Sequence, residues 1–370
     1  MRIAHISDTH LGYRQYNLDV REQDIYDVFN EAIDIALEER ADVLIHSGDL
    51  FDTPEPPIKA LYTLQNALSK IGDKMKVLTV LGEHDTPKRR GMAPHRLFKM
   101  EVLGDAYSLD HVIIDDVLFA GISNLKGRAT DHLKQELEKF DFLTKQYEGS
   151  VLILHQAIKS FLPFEGAYQL KEDDLPQSAN YYALGHIHSR EIQSFGNGKL
   201  AYAGSTEIMN KDEISSWKKN GKGLYLIDIE KGDVSVERID LNVRPQIKLE
   251  IEERELEKTL KELSFEPKPI LHLEIIGEMM DKSGIYEKLQ ELLEDKVISY
   301  RPIFRDTTVK DLTIPKGPIN FQEILREYFA DNNVADFAYD LYKNLSIDEI
   351  EESIDLANKR MEEDDLQIDN

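Results

Sequence analysis

Cysteine is absent from all 370 residues. That excludes a disulfide framework, a thiolate zinc ribbon and thiol catalysis, so any metal must be held by His, Asp, Glu or Asn. Positive charge is also scarce: 45 Lys and Arg stand against 70 Asp and Glu, a formal net charge of −25. A chain this acidic is not coated in basic surface, so nucleic-acid binding would have to come from local Lys/Arg patches or from a partner. No stretch approaches the roughly 18 consecutive apolar residues of a membrane span, and the opening "MRIAHISDTH" lacks the apolar run of a signal peptide. The expectation is a soluble, cytoplasmic protein with no membrane partner. Internal repeats are missing as well.

What is present suffices for packed cores, with 41% hydrophobic residues, 14 Phe and 16 Tyr. From residue 1 to about 240, short apolar runs alternate with amphipathic helical segments. The runs are "MRIAHIS", "ADVLIHSG", "KMKVLTVLG", "HVIIDDVLFAGIS", "SVLILHQ" and "NYYALGHI", and each ends in polar residues. Between the first two, Ile25, Val28, Phe29, Ile33 and Ala36 share one helix face. This reads as layered α/β sheets buried on both sides, with ligand sites beyond the carboxyl ends of the strands. Residues 245–308 predict a small βαβαβ unit, and 309–319 a linker broken by Pro315, Gly317 and Pro318. Within 320–365, Phe321, Ile324, Leu325 and Tyr328 mark one helix face, and Ile347, Ile350, Ile354 and Ala357 another. Two such helices bury little alone, so they pack on the body or dock on a partner.

The chemistry gathers at the ends of the apolar runs. Asp8 and His10 stand two apart in "DTH", so both side chains leave the same face and converge on one ion, and His186 and His188 in "GHIH" repeat that geometry. Asp49 closes "SGDLFD" beside Gly48, with Asp52 three residues on; Glu83, His84 and Asp85 follow Gly82 in "VLGEHDTP"; His155 ends "ILHQ". A single His or Asp at a strand end is commonly structural, whereas five such clusters in this order point to a metal centre. His5, His46, His95, His111, His132 and His272 read as structural histidines, and Asp85 as a residue that stabilises the turn.

The order D-x-H, GD, GEHD, H and GH-x-H resembles the calcineurin-like metallophosphoesterases, over residues 1 to 215. "HISDTHLGYRQYN", "SGDLFDT", "ALGHIHSR" and "YAGSTE", with the small domain and terminal helices, resemble the SbcD-type double-strand-break repair nucleases across the chain. The resemblance implies a two-sheet sandwich flanked by helices, a small βαβαβ capping domain that binds DNA, and a C-terminal helix pair. It implies two Mn²⁺ ions, with Mg²⁺ as the other candidate. Asp8, His10, Asp49 and His188 would hold one, and Asp49, Glu83, His155 and His186 the second. His84 would protonate the leaving oxygen or stabilise its charge. At Asp52 the related phosphoprotein phosphatases place a carboxylate, where many repair nucleases carry His, so an Asp52–His84 pair is expected to raise the imidazole pKa and fix its tautomer. Glu83 stands where the family has Asn. It still ligates, but it lacks the amide donor and makes the bound ion a weaker Lewis acid.

The implied function is a two-metal DNA nuclease for double-strand-break ends, a 3′ to 5′ exonuclease on duplex ends and an endonuclease on single strands and hairpins. It would be nucleoid-associated. DNA would lie near Lys88, Arg89 and Arg90 with Tyr13, Arg14 and Arg190. In the family a homodimer forms through a four-helix bundle. Here "FDTPEPPIKALYTLQNALSKI" and "MAPHRLFKMEVL" would supply the helices, with Leu61, Leu64, Leu68 and Leu97 as seam or internal core. The C-terminal helix pair would dock on a zinc-hook SMC-like ABC ATPase. Two other functions fit the same residues: a phosphodiesterase for small nucleotides or a phosphoprotein phosphatase, and a DNA-end tethering subunit with a weak metal site.

Overall fold

The computed structural model describes residues 1–87, 91–162, 167–307, 321–329, 331–346, 353–354 and 356–360. Two six-stranded sheets face each other. The first runs 233–240, 223–230, 2–6, 43–46, 76–79, 101–102, and the second 110–114, 117–122, 149–155, 181–185, 198–202, 191–195. Alternation along each strand decides what goes where. In the first sheet Ile3, Val43, Ile45 and Leu78 turn inward onto Phe119, Val151, Ile153 and Ala183 of the second. Ala4, Ile6 and Leu44 turn outward, beneath the helices Asp19–Glu38 and Ile58–Ile71. The far face of the second sheet is covered by Leu133, Leu137 and Phe140. The result is a helix–sheet–sheet–helix sandwich with apolar residues on both faces of each sheet.

Local chemistry explains where the runs break. "HVIIDDVLFAGIS" is two antiparallel strands, Asp110–Ile114 and Val117–Ile122, and not one. Asp115 and Asp116 between them both take positive φ, 46° and 63°, the two-residue turn that matches strand twist and that Asp tolerates. "MAPHRLFKMEVL" is not a helix either: Pro94–Leu97 is a single 3-10 turn, after which Glu101–Val102 pairs with the strand Lys76–Thr79. A four-helix bundle built from two helices per chain therefore lacks its second helix.

The strands Gln246–Glu252, Ile270–Gly277 and Ser299–Asp306 form a separate three-stranded parallel sheet with helices Leu256–Glu262 and Lys282–Leu293 between them in sequence. Gln246 at its root donates to Gln15 Oε1 (3.0 Å) and Ile208 O (2.9 Å), and Arg244 pairs with Asp24. The 309–319 stretch lies outside the described residues. Beyond it, Phe321–Tyr328 packs on Asn332–Ser346, with the Phe321 and Tyr342 rings 4.3 Å apart and Arg326 paired to Asp336.

His5 shows how fully the inter-sheet space is closed. Its ring is buried between Tyr181 OH (2.9 Å) and Ser47 Oγ (2.8 Å), and burial pushes its pKa down from 6.5 to about 3. The unfolded chain protonates at the ordinary value while the folded one resists, so this contribution is complete above pH 6.5 and is lost as pH falls towards 3. Thermal melts of the protein and of His5→Asn should therefore differ most at neutral pH and converge on acidification; a constant gap would contradict this.

Candidate metal centre

Parallel pairing places the carboxyl ends of the strands 2–6, 43–46 and 76–79 side by side, and those of 149–155 and 181–185 opposite them. Asp8, Asp49, Glu83, His155 and His186 all leave the sheets at this one edge. The turns that carry them are strained. Asp8, His10, Asp49 and His186 sit at φ of 50°, 44°, 55° and 91°, a region that costs a non-glycine residue about 1–3 kcal/mol and that clusters at functional sites. Gly82 is required by a close approach, since a Cβ there would overlap the Asp49 carboxylate and its backbone nitrogen.

The donor atoms converge. Those of Asp8, His10 and His188 lie within 4.8 Å of one another, as do those of Asp8, Asp49 and His155, and those of His10, Asp49 and His84. His155 donates Nδ1–H to Ser47 O (2.8 Å), which leaves Nε2 facing Asp49 Oδ2 at 3.2 Å. His188 donates Nδ1–H to Glu213 Oε1 (2.9 Å), which turns its Nε2 to His10 Nε2 at 3.2 Å and Asp8 Oδ1 at 3.9 Å. Glu83 and His186 stand at the outer margin, Oε1 to Nδ1 4.0 Å, and Lys126 Nζ is 3.6 Å from the other Glu83 oxygen.

Divalent cations fit this set. The donors are imidazole nitrogens and carboxylate oxygens, and the buried His155 Nε2 has no hydrogen-bond partner. Burial opposes charge on His155, but Asp49 outweighs it and lifts the imidazole to about 10; on His10 burial is outweighed by Asp52, Asp49 and Asp8, to about 9. Burial also opposes charge on Asp49, yet His155, His10 and His84 hold its carboxyl well below the usual range. His186 is pushed down by burial and by His155. Neutral imidazole is the form that ligates a cation.

Around this centre several expectations change. His84 does face it, its ring 4.8 Å from that of His10, but its Nδ1–H donates to the Asp52 backbone carbonyl (2.8 Å) and not to the carboxylate. The Asp52 carboxylate lies instead 3.5 Å from His10 Nδ1. Asp85 is fully buried and accepts from Leu50 N (3.2 Å), Phe51 N (3.0 Å) and Gly82 N (3.0 Å), fastening the Asp49 turn to the Glu83 turn. Arg190 is buried, not DNA-facing: its guanidinium is used by Asn220 O, Ile239 O and Asp240. Tyr13 is half-buried with its hydroxyl on Met209 O (3.1 Å), and the half-exposed Arg14 pairs with Asp19. Lys88, Arg89 and Arg90 lie outside the described residues. Leu64 is core, and Leu61 and Leu68 pack half-buried against it, so Ile58, Tyr62, Met92 and Leu97 are the exposed apolar residues of that region. Of the C-terminal residues, Ile324 and Tyr328 are exposed and Phe321 and Leu325 half-buried; Ile347 and Ile350 lie outside the described residues. Glu213 and Lys222, which touch His188, were not legible: no motif marks them, and only the fold brings them to the site.

Residues 1–190 match the family model of the calcineurin-like phosphoesterases. The chain is 36% identical over 373 aligned residues to a DNA double-strand break repair protein Mre11 of Saccharolobus solfataricus, covering 95% of this chain and 96% of the relative. The Mre11 protein of Thermoplasma acidophilum is 38% identical over 353 residues, 90% of this chain and 91% of its own. That of Methanocaldococcus jannaschii is 35% identical over 356, 93% and 94% respectively.

Asp85→Ala would strip the acceptor from three buried N–H groups. It is expected to destabilise the fold by on the order of 3 kcal/mol and to weaken metal uptake. Urea melts and calorimetric Mn²⁺ titration read the two effects, and unchanged melts would count against the role of Asp85 in fastening the turns.

Proposed function

The chain belongs to the Mre11 family of calcineurin-like phosphoesterases, metal-dependent nucleases of DNA repair, and from that premise we propose that it trims double-strand-break ends. It acts as a 3′ to 5′ exonuclease on duplex ends and an endonuclease on single strands and hairpins, with Mn²⁺ as its working metal. The observation that carries this reading is the convergence of five strand ends, with imidazole and carboxylate donors, on one open edge of the sandwich. Asp8, His10, Asp49 and His188 would hold one cation, and Asp49, Glu83, His155 and His186 the other, with Asp49 shared. When bound, such a pair neutralises the phosphodiester and activates water for in-line attack.

The chain's own residues do the rest. Donation of Nδ1–H to the Asp52 carbonyl leaves His84 Nε2 as the free nitrogen, and the side chain is 42% exposed, so it can meet a leaving oxygen arriving from solvent. The Asp52 carboxylate orients His10. DNA lies towards Tyr13 and Arg14 and the 88–90 stretch, with the three-stranded unit as a capping, DNA-binding domain. Ile58, Tyr62, Met92 and Leu97 supply an apolar face for a second copy. The amphipathic helices 321–328 and 332–346 supply a docking face for a zinc-hook ABC ATPase, which is also where the positive charge missing from this acidic chain could come from.

Labelled hairpin and blunt duplex DNA, offered with Mn²⁺ or Mg²⁺, with and without the ATPase, tests the reading. Cleavage in Mn²⁺ is expected, and none under any condition would sink it. Glu83→Asn should cleave faster than the natural chain, because it removes a negative charge facing the phosphate and restores an amide donor; slower cleavage would overturn the account of Glu83.

A further inference from the structure

Two buried charges beside the site belong to neither ligand set. Lys222 is 1% exposed and Glu213 is 6% exposed, and they form an ion pair directly behind His188. Glu213 Oε1 accepts from His188 Nδ1–H at 2.9 Å and from Asn210 Nδ2 at 2.9 Å. Its other oxygen accepts from Lys222 and from Met209 N. Lys222 also donates to the backbone carbonyl of His188 (2.8 Å) and to Ser205. The ring and the backbone of His188 are therefore gripped by two members of one buried pair.

A buried ion pair is weak evidence of added stability, since a hydrophobic pair of the same volume often serves as well or better. The Glu213 carboxylate lies between the Lys222 ammonium and the His188 ring, one oxygen on each. An ionised carboxylate on Nδ1 fixes the tautomer that leaves Nε2 bare, stops the ring rotating and makes the imidazole a stronger donor to a cation. The companion imidazole His155 instead donates its Nδ1–H to a neutral carbonyl, that of Ser47. The two halves of the centre are thus built differently.

We propose that Glu213, held in place by Lys222, is the positioning carboxylate of His188 and sets the affinity of the cation site shared by Asp8, His10 and His188. The inference rests on reading His188 as a metal ligand. Glu213 also steadies the loop through Met209 N, so a test must separate positioning from simple structural support.

Calorimetric titration of the full chain with Mn²⁺ does so. The natural protein should take up two ions, and Glu213→Gln should weaken one site by about 10–100-fold and leave the other unchanged. In a His188→Ala background the same substitution should change nothing further, an outcome that loss of loop support alone would not produce. Glu213→Gln/Lys222→Met removes the unpaired buried cation and keeps the test usable if the single variant does not fold. Unchanged affinities at both sites in either folded variant, or a Glu213→Gln effect that persists without His188, would overturn the proposal. A natural chain that binds no Mn²⁺ would instead remove the metal-centre reading, and the positioning role with it.

Discussion

Both sheets are tied to one carboxylate. Asp49 leaves the first sheet, accepts the backbone N–H of His84 at 2.9 Å, and faces His155 of the second sheet at 3.2 Å and His10 at 3.8 Å. Its position is over-determined. Gly82 has no side chain where Asp49 passes, and Asp85 holds the peptide nitrogens that follow Asp49. A carboxylate buried to this degree is costly without opposite charge. The imidazoles of His155 and His10 stand against it.

The strain in the turns fits the same picture. Four residues of the centre hold left-handed backbone conformations, and Asp8 accepts from the backbone N–H of His186 at 3.0 Å, linking one strained turn to another across the sheets. Such turns survive only where packing leaves them no alternative. Here that packing is the inter-sheet layer of Ile3, Val43, Ile45, Val151 and Ile153, all of them fully buried. The apolar core thus pre-sets the donors, and the ordering entropy of the centre is met when the chain folds and not when a cation or substrate arrives.

Charge is distributed to match. The interior of the site is acidic and histidine-rich, and the buried cations Arg21, Arg190 and Lys222 are all engaged with carboxylates or carbonyls. None of them is left for a phosphate backbone. An acidic chain that acts on a polyanion must therefore draw its positive charge from bound cations, from local exposed basic residues or from another protein.

Much of this was legible along the chain because strand ends and metal donors are local patterns. The runs ending in Asp8, Asp49, Glu83, His155 and His186 could be read from apolar periodicity followed by polar residues, and the family order of motifs named the chemistry. Tertiary structure alone decided the rest, for a common reason: hydrogen-bond partners and burial are properties of neighbours distant in sequence. A carboxylate three residues after Asp49 can reach several imidazoles, and only folding sent that of Asp52 to His10 while its carbonyl took His84. Arg190 carries a charge that suits DNA, and only the fold enclosed it against Asp240, fifty residues away. Leu64 looks like a seam residue until the sheet beneath it is known. Glu213 carries no motif at all, and its place behind His188 follows from the strands between them.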